Sequence, residues 1–388
     1  MLQFLTAFTH EVDDPVAAVS DILEQLDMEN RLLAHSAGIV ACYYEYIETG
    51  ILEALADALP FDIIGCTALG SATDKAYGME QLSITVLTSD TVRFAVSLSS
   101  GISPNDIAGP VREAWNDARR ALPGDPGLVI ALPPIMLDVG GAQILKQLDA
   151  ACGGLPVFGT LSNDASMNYA QSRTFLNADA HSNKMALLLL YGSSISPRFY
   201  AASFAPRNIQ QQKATVTASD GQFIRQVNGV PFIDYLASIG VQPDMLTALS
   251  ILPFIVDYND GTPPVAIGLY SLSREGALSG GEIPEGASIT FTEIDYASIL
   301  ETAESVLRQA LNDAETNGAS AILAVSCMTR SLMLSPRSED ELQKSVELIN
   351  GRFPFMLLYS GGEICPAYNA SGVVVNRFHN YTFTLAVL

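Results

Sequence analysis

Three short stretches near the C-terminus concentrate the side chains best able to do chemistry. Ser326-Cys327-Met328-Thr329-Arg330 follows an apolar run. Tyr359-Ser360-Gly361-Gly362-Glu363-Ile364 follows the next one, and Phe378-His379-Asn380-Tyr381-Thr382 lies at a later strand turn. Together they supply a guanidinium, a carboxylate, a thiol, an imidazole and an amide. A guanidinium forks a carboxylate, and a carboxylate holds an ammonium, so the set suits a small zwitterion. Gly361 and Gly362 would let a ligand approach the backbone. The expected ligand-binding set is therefore Arg330, Glu363, Cys327, Tyr359, Gly362, His379 and Asn380. Two other readings compete with it. An Arg330–Glu363 pair could simply tie two loops together, because buried ions are usually paired. A Cys327–His379 pair assisted by Glu363 could instead make a thiolate for an enzymatic reaction.

Other chemistries find little support. There is no Walker A run, no GxGxxG after a strand, no HExxH and no GxSxG elbow. Ala34-His35-Ser36-Ala37-Gly38 lacks the first glycine of such an elbow. His10, His35, His181 and His379 form no i,i+4 pair, so no metal and no cofactor is expected, and no catalytic residue is assigned. The 388 residues carry a formal net charge of −22, which argues against nucleic-acid phosphates and against a polybasic membrane patch. Apolar runs such as Met185–Tyr191 fall short of the ~18 residues of a membrane span. Met1–His10 has no basic region preceding an apolar one, so no signal peptide is expected. Five scattered cysteines without a CxxC suit a reducing cytoplasm.

The elements that must position these residues alternate between strand and helix. Ile47, Ile51, Leu55 and Leu59 make one helical stripe, and Ile107, Val111, Trp115, Ala118 and Leu122 make another that Ser103–Pro104 would begin. Ser338 with Glu341 has the spacing of a capping box ahead of Leu342, Val346 and Ile349. Val16, Ile22, Ile51, Leu55, Val111, Trp115, Leu307, Leu311, Val346 and Ile349 are expected to be buried. Strand, helix, second strand, glycine loop and two alternating strands recur three times. The first strands of the copies are 32–42, 128–132 and 321–327. The loops hold Gly65, Gly159 and Gly361, and the final strand pairs are 82–88 with 91–98, 172–178 with 184–191, and 371–377 with 380–387. The expected fold is α/β, with two domains of mixed sheets flanked by helices and internal strand–helix–strand–hairpin repeats. Polar Ala205–Lys213 suggests a boundary, giving 1–205, a linker at 206–213, and 214–388. Ser219-Asp220-Gly221 should turn a hairpin.

These segments also carry a family likeness. The chain resembles the FIST family, whose members join an N-terminal to a C-terminal FIST domain. The first half matches through Ile64-Gly65-Cys66-Thr67-Ala68 and through Pro156-Val157-Phe158-Gly159 followed by Asp164. The second half matches through Ser326-Cys327 with Arg330, Tyr359 with Gly362-Glu363-Ile364, and Phe378-His379-Asn380 with Thr382. The chain has Gly159-Thr160 where the family tends to have Gly-Gly, and Ser71 where it tends to have an acid. The resemblance implies a cytoplasmic sensory module that binds a small polar ligand such as an amino acid and signals through a separate protein. It adds Cys66, Thr67 and Asp164 as an N-domain site. A ligand-free protein-interaction adaptor is the alternative.

Overall fold

The computed structural model describes residues 2–166, 168–241 and 252–388. The chain builds the same unit three times. Unit 1 is β1 (Leu2–Thr9), α1 (Pro15–Leu26), α2 (Met28–Arg31), β2 (His35–Cys42), α3 (Glu45–Glu48), α4 (Ile51–Ala58), β3 (Ile63–Thr67), a hairpin of β4 (Ser71–Thr73) and β5 (Tyr77–Gly78), and β6 (Leu82–Ser89). Unit 2 is β7 (Arg93–Leu98), α5 (Ala108–Ala121), β8 (Leu128–Leu132), α6 (Gly141–Cys152), β9 (Val157–Thr160), the hairpin β10 (Thr174–Leu176) and β11 (Asp179–His181), and β12 (Ala186–Tyr191). Unit 3 opens with β13 (Arg198–Ala202). An insertion follows, holding β14 (Ala214–Asp220), β15 (Phe223–Val227), β16 (Val230–Pro231), α7 (Phe232–Ser238), β17 (Pro253–Asp257), β18 (Val265–Ser273), β19 (Gly276–Ser279) and β20 (Ser288–Phe291). The unit resumes with α8 (Tyr296–Asn317), β21 (Ile322–Cys327), α9 (Met328–Met333), α10 (Asp340–Ile349), β22 (Phe355–Ser360), the hairpin β23 (Glu363–Tyr368) and β24 (Val374–His379), and β25 (Phe383–Val387).

Each unit keeps four strands and gives its hairpin away. The three sheets run β1-β6-β2-β3-β10-β11, β7-β12-β8-β9-β23-β24 and β13-β25-β21-β22-β4-β5. Unit 1 thus completes the sheet of unit 3, unit 2 that of unit 1, and unit 3 that of unit 2. In each sheet one central pair is parallel (β2–β3, β8–β9, β21–β22), as a helical crossover requires. Backbone bonds repeat the symmetry. Thr67, Leu161 and Tyr359 donate their N–H groups to the carbonyls of Arg173, Gly362 and Gly70, each the residue just before an incoming hairpin. The inner faces of the sheets share one apolar core, including Phe4, Ile39, Ile130, Leu188, Leu323 and Leu358. The helices pack outside. The insertion forms a seven-stranded antiparallel sheet with its own core around Phe232, Phe254, Ile267 and Ile289.

The repeats stand, with three corrections. None of the three final strand pairs forms: 172–178 and 184–191 hold β10 and β12, 371–377 and 380–387 hold β24 and β25, and each two lie in different sheets, as do 82–88 and 91–98. Strands 82–88 and 91–98 are β6 and β7, the last strand of one unit and the first of the next. Gly65 and Gly159 are equivalent by register, opposite Phe175 and Ile364, but the third such position, opposite Ala72, is Leu357. Gly361 comes four residues later. Val16 is 79% exposed, because α1 buries the face of Ala18, Ile22 and Leu26. Val346 is half-buried, and the other eight stripe residues are buried. Two helix starts also move. Ser103 caps a tight turn with Asp106, and α5 begins at Ala108. Ser338 does not cap α10, because Glu341 turns inward.

Candidate functional site

The carboxyl ends of β21 and β22 and the start of β23 position the residues singled out in the sequence. Arg330 is fully buried, and all five of its N–H groups are taken. Nε and Nη2 bond Glu341 Oε1 at 2.9 and 2.6 Å. Nη2 also reaches the Ile299 carbonyl (2.8 Å) and Thr302 Oγ1 (3.1 Å), and Nη1 reaches the carbonyls of Ser203 (3.1 Å) and Tyr381 (3.3 Å). Glu341, also fully buried, takes a further bond from Ser326 Oγ at 2.5 Å. Arg330 therefore pairs with Glu341 and not with Glu363, and no donor is left to fork a ligand. Pseudosymmetry shows what this site does. Buried Tyr46 in unit 1 likewise donates to Thr9 O and Glu80 O, both at 3.1 Å. In both units one side chain brackets the end of the first strand and the approach to the last. The capping-box spacing concealed Glu341 from the sequence reading.

Glu363 faces the shared interior. Oε1 accepts from Ser360 Oγ (2.9 Å), Oε2 from the Thr382 N–H (3.2 Å), and the Cys327 thiol also bonds the carboxyl. Ser71 and Thr174 occupy the equivalent positions and bond Gln81 O and Lys184 O, the counterparts of Thr382. So this position ties a departing hairpin to its own unit's last strand. Burial pushes the Glu363 carboxyl up to about 8. Cys327 is buried and its thiol is pushed up by burial and then by Glu363. His379 is lowered to about 4, chiefly by burial, with Nε2 lying 3.4 Å from Cys365 O. Cys327 bonds Glu363 and Thr329, and His379 is held at Cys365 O, so the geometry assembles no Cys–His dyad. Tyr359 points to the helix side and donates to Ser338 O at 3.1 Å. Asn380 Oδ1 accepts from the Gly268 N–H (3.2 Å), which docks the inserted sheet. The space beside the glycines is filled. A Cβ at Gly362 would stand 2.4 Å from the Phe378 ring, and one at Gly361 would stand 2.7 Å from Ile135 Cδ1.

An acid raised in the folded state binds its proton more tightly there than when unfolded. Its contribution to stability is complete below the unfolded value near 4.5 and is lost as pH rises through about 8. Glu363→Gln should therefore gain on the parent as pH rises from 5 to 8, by up to ~1.4 kcal/mol per pH unit. Urea melts at the two pH values measure this, and an unchanged difference would refute a neutral Glu363. His379 has the opposite sign, its contribution falling away as pH drops from 6.5 to about 4.

The N-terminal trio holds a loop. The link from second strand to hairpin is 3 residues in unit 1 and 2 in unit 3, but 13 in unit 2 (161–173). Asp164 accepts from Ser166 N (2.5 Å), Ser166 Oγ (2.6 Å) and Gln171 N (2.7 Å), folding this loop on itself. Thr67 Oγ1 accepts from the Arg173 N–H at 2.9 Å. Cys66 lies in the shared core, its thiol pushed up to about 12 by burial. The loop reaches both other units. Arg173 stacks over Tyr44 at 5.3 Å, and the Tyr169 hydroxyl lies 4.0 Å from the Met328 sulfur.

Space for a ligand lies beside this layer. A cleft of about 880 Å³ separates unit 3 from the inserted sheet. Its floor is one face of that sheet. By register, Thr290, Ile255 and Ala266 form one row, with Thr215, Ser288 and Asp257 in the row beside it; Lys213, just before β14, and Pro264, just before β18, complete the lining. Its wall is β13 with Pro366, Ala367, Tyr368 and His379. Phe199 stacks between Phe158 (6.2 Å) and Tyr368 (6.5 Å) along that wall. Of the expected ligand set, only His379 lines this cleft. Lys213 and Asp257, which the sequence reading missed, bring the two opposite charges. Their separation in sequence left no signal, since only the sheet's pairing brings them to one cleft.

Comparison with known proteins agrees with the motifs. The FIST N domain matches residues 36–230 and the FIST C domain residues 233–366, so the chain belongs to the FIST family of sensory signal-transduction domains. No curated protein matches the chain significantly. Among solved structures it is similar to cyanuric acid hydrolase from A. caulinodans, with 8% identity, 100% of this chain and 99% of that one covered, and a TM-score of 0.39. A weaker likeness is to phosphoribosylformylglycinamidine synthase II from Thermotoga maritima, with 10% identity, 100% and 71% covered, and a TM-score of 0.19. No helix among the described residues is long and apolar enough to cross a membrane.

Proposed function

We propose that this FIST protein is a cytoplasmic sensor that takes a small polar metabolite of amino-acid character in the cleft between unit 3 and the inserted sheet. The carrying observation is the cleft itself. It has the size and mostly apolar lining of ligand sites, with a few polar groups to fix orientation. Lys213 and Asp257 make no ion pair among the described residues, which leaves them to meet a carboxylate and an ammonium. Arg330 and Glu363 support the site from behind, by fixing the strand ends that carry its wall. The insertion is held to the units by separate contacts, including Lys146–Glu282 at 2.9 Å and the Asn380 N–H to Ala266 O at 2.9 Å. Occupancy can therefore change how the two bodies pack, and a separate signalling protein would read that change.

A ligand at ~100 times its dissociation constant adds about 2.7 kcal/mol to stability. At ~2.1 cal/mol/K of unfolding entropy per residue, this shifts a chain of this length by about 3 °C. A panel of amino acids and related metabolites screened by thermal shift should find such a ligand. Lys213→Ala and Asp257→Ala should each remove the response while leaving the unliganded melting temperature in place. Full responses in both variants would place the ligand elsewhere.

A further inference from the structure

We infer that the ligand of this cleft is a short oligopeptide with free termini, added as an extra strand along the open edge of β13. The inference rests on the cleft being the ligand site and names the ligand's class. β13 is the last strand of its sheet, paired with β25 on one side only. Six consecutive residues, Phe199 to Phe204, line the cleft. A cleft lying over one face of a strand would meet alternate residues, so this one runs along the edge. In an antiparallel pair, alternate residues aim N–H and C=O away from the partner. Among the described residues no backbone group outside the sheet bonds the N–H groups of Phe199–Ala202; on the carbonyl side, Tyr200 O accepts from the Cys365 thiol of β23 at 3.9 Å.

Exposed edges are normally blunted by lysine, by internal proline or by a covering element. The segment Phe199-Tyr200-Ala201-Ala202 has neither lysine nor proline, and Ala201 is exposed. Charge and length complete the case. Lys213 and Asp257 lie two strands and two residues apart on the cleft floor. At ~4.8 Å between strands and ~3.4 Å per residue, their Cα atoms are about 12 Å apart. That is the span of three or four extended residues, so one charge can meet each terminus. A single free amino acid would leave the strand edge bare. The aromatic wall of Phe199 and Tyr368 would take an apolar side chain.

The test uses the full chain and isothermal titration calorimetry. The probes are the tetrapeptide Ala-Leu-Ala-Ala, two versions N-methylated at alternate internal positions, its N-acetylated C-amide, and free leucine. The inference expects the parent peptide to bind at least 10-fold more tightly than leucine. It expects one N-methylated version to lose at least 10-fold while the other binds as the parent does, because only alternate N–H groups face β13. Blocking both termini should also weaken binding, and Lys213→Ala should shrink the difference between the free and blocked peptides. Leucine binding as well as the peptide, or both N-methylated versions binding undiminished, would overturn the peptide and leave the metabolite reading standing. Binding of neither class, together with metabolite responses that ignore Lys213→Ala and Asp257→Ala, would overturn the site itself.

Discussion

Replacing Arg330 by alanine is expected to destabilise the protein by about 3–5 kcal/mol, because it strands a fully buried carboxylate. Glu341 would keep only its Ser326 bond on one oxygen. Four further acceptors, at Ser203, Tyr381, Ile299 and Thr302, would lose a donor in the same step. Two of these are the bracketed strand ends, so the damage should extend to β13 and to the cleft wall. Chemical denaturation measures the loss. Removing both charges, as Arg330→Met with Glu341→Leu, should recover much of it, since a buried pair is often replaceable by apolar side chains of similar volume. A single variant that loses less than ~1 kcal/mol would show that the pair is solvated.

The second large effect concerns division of the chain. A fragment of residues 1–205 should not fold cooperatively. Its β4–β5 hairpin pairs with β22, its β13 pairs with β25, and its second sheet is completed by β23–β24. All of these partners lie beyond residue 205. The inner faces around Phe158 and Phe199 would lose the apolar neighbours that offset the entropy of ordering them. With a whole stability of only ~5–15 kcal/mol available, losing two of the three interfaces between units is enough to abolish the native state. Dispersed amide signals and a sigmoidal melt from the fragment alone would contradict this. Co-expression with residues 206–388 should restore a folded complex, because the exchanged hairpins can still find their sheets.

The sequence by itself determined the local grammar and the family. Ile51 and Leu55 lie on a helical stripe whatever surrounds them, and both are fully buried as that period requires. Short apolar runs flanked by glycine identified the strands of each unit, and Ser219-Asp220-Gly221 turned the β14–β15 hairpin. The ordered motifs from Cys66 to Thr382 were enough to place the chain among FIST proteins. Which strands pair, however, is decided by long-range contacts that leave no periodic mark. The exchange of hairpins among units depends on inner faces meeting around a common core, so β6 and β7, adjacent in the chain, part to different sheets. The same physics reassigned the charges. Arg330 and Glu363 are near in sequence pattern, but Glu341 lies one helix face away and satisfies the guanidinium at 2.6 Å. A buried cation takes whichever carboxylate the packing delivers, and only the tertiary structure delivers it. Lys213 and Asp257 came to one cleft for a related reason: β20 joins β14 to β17, a relation that exists only once the inserted sheet has formed.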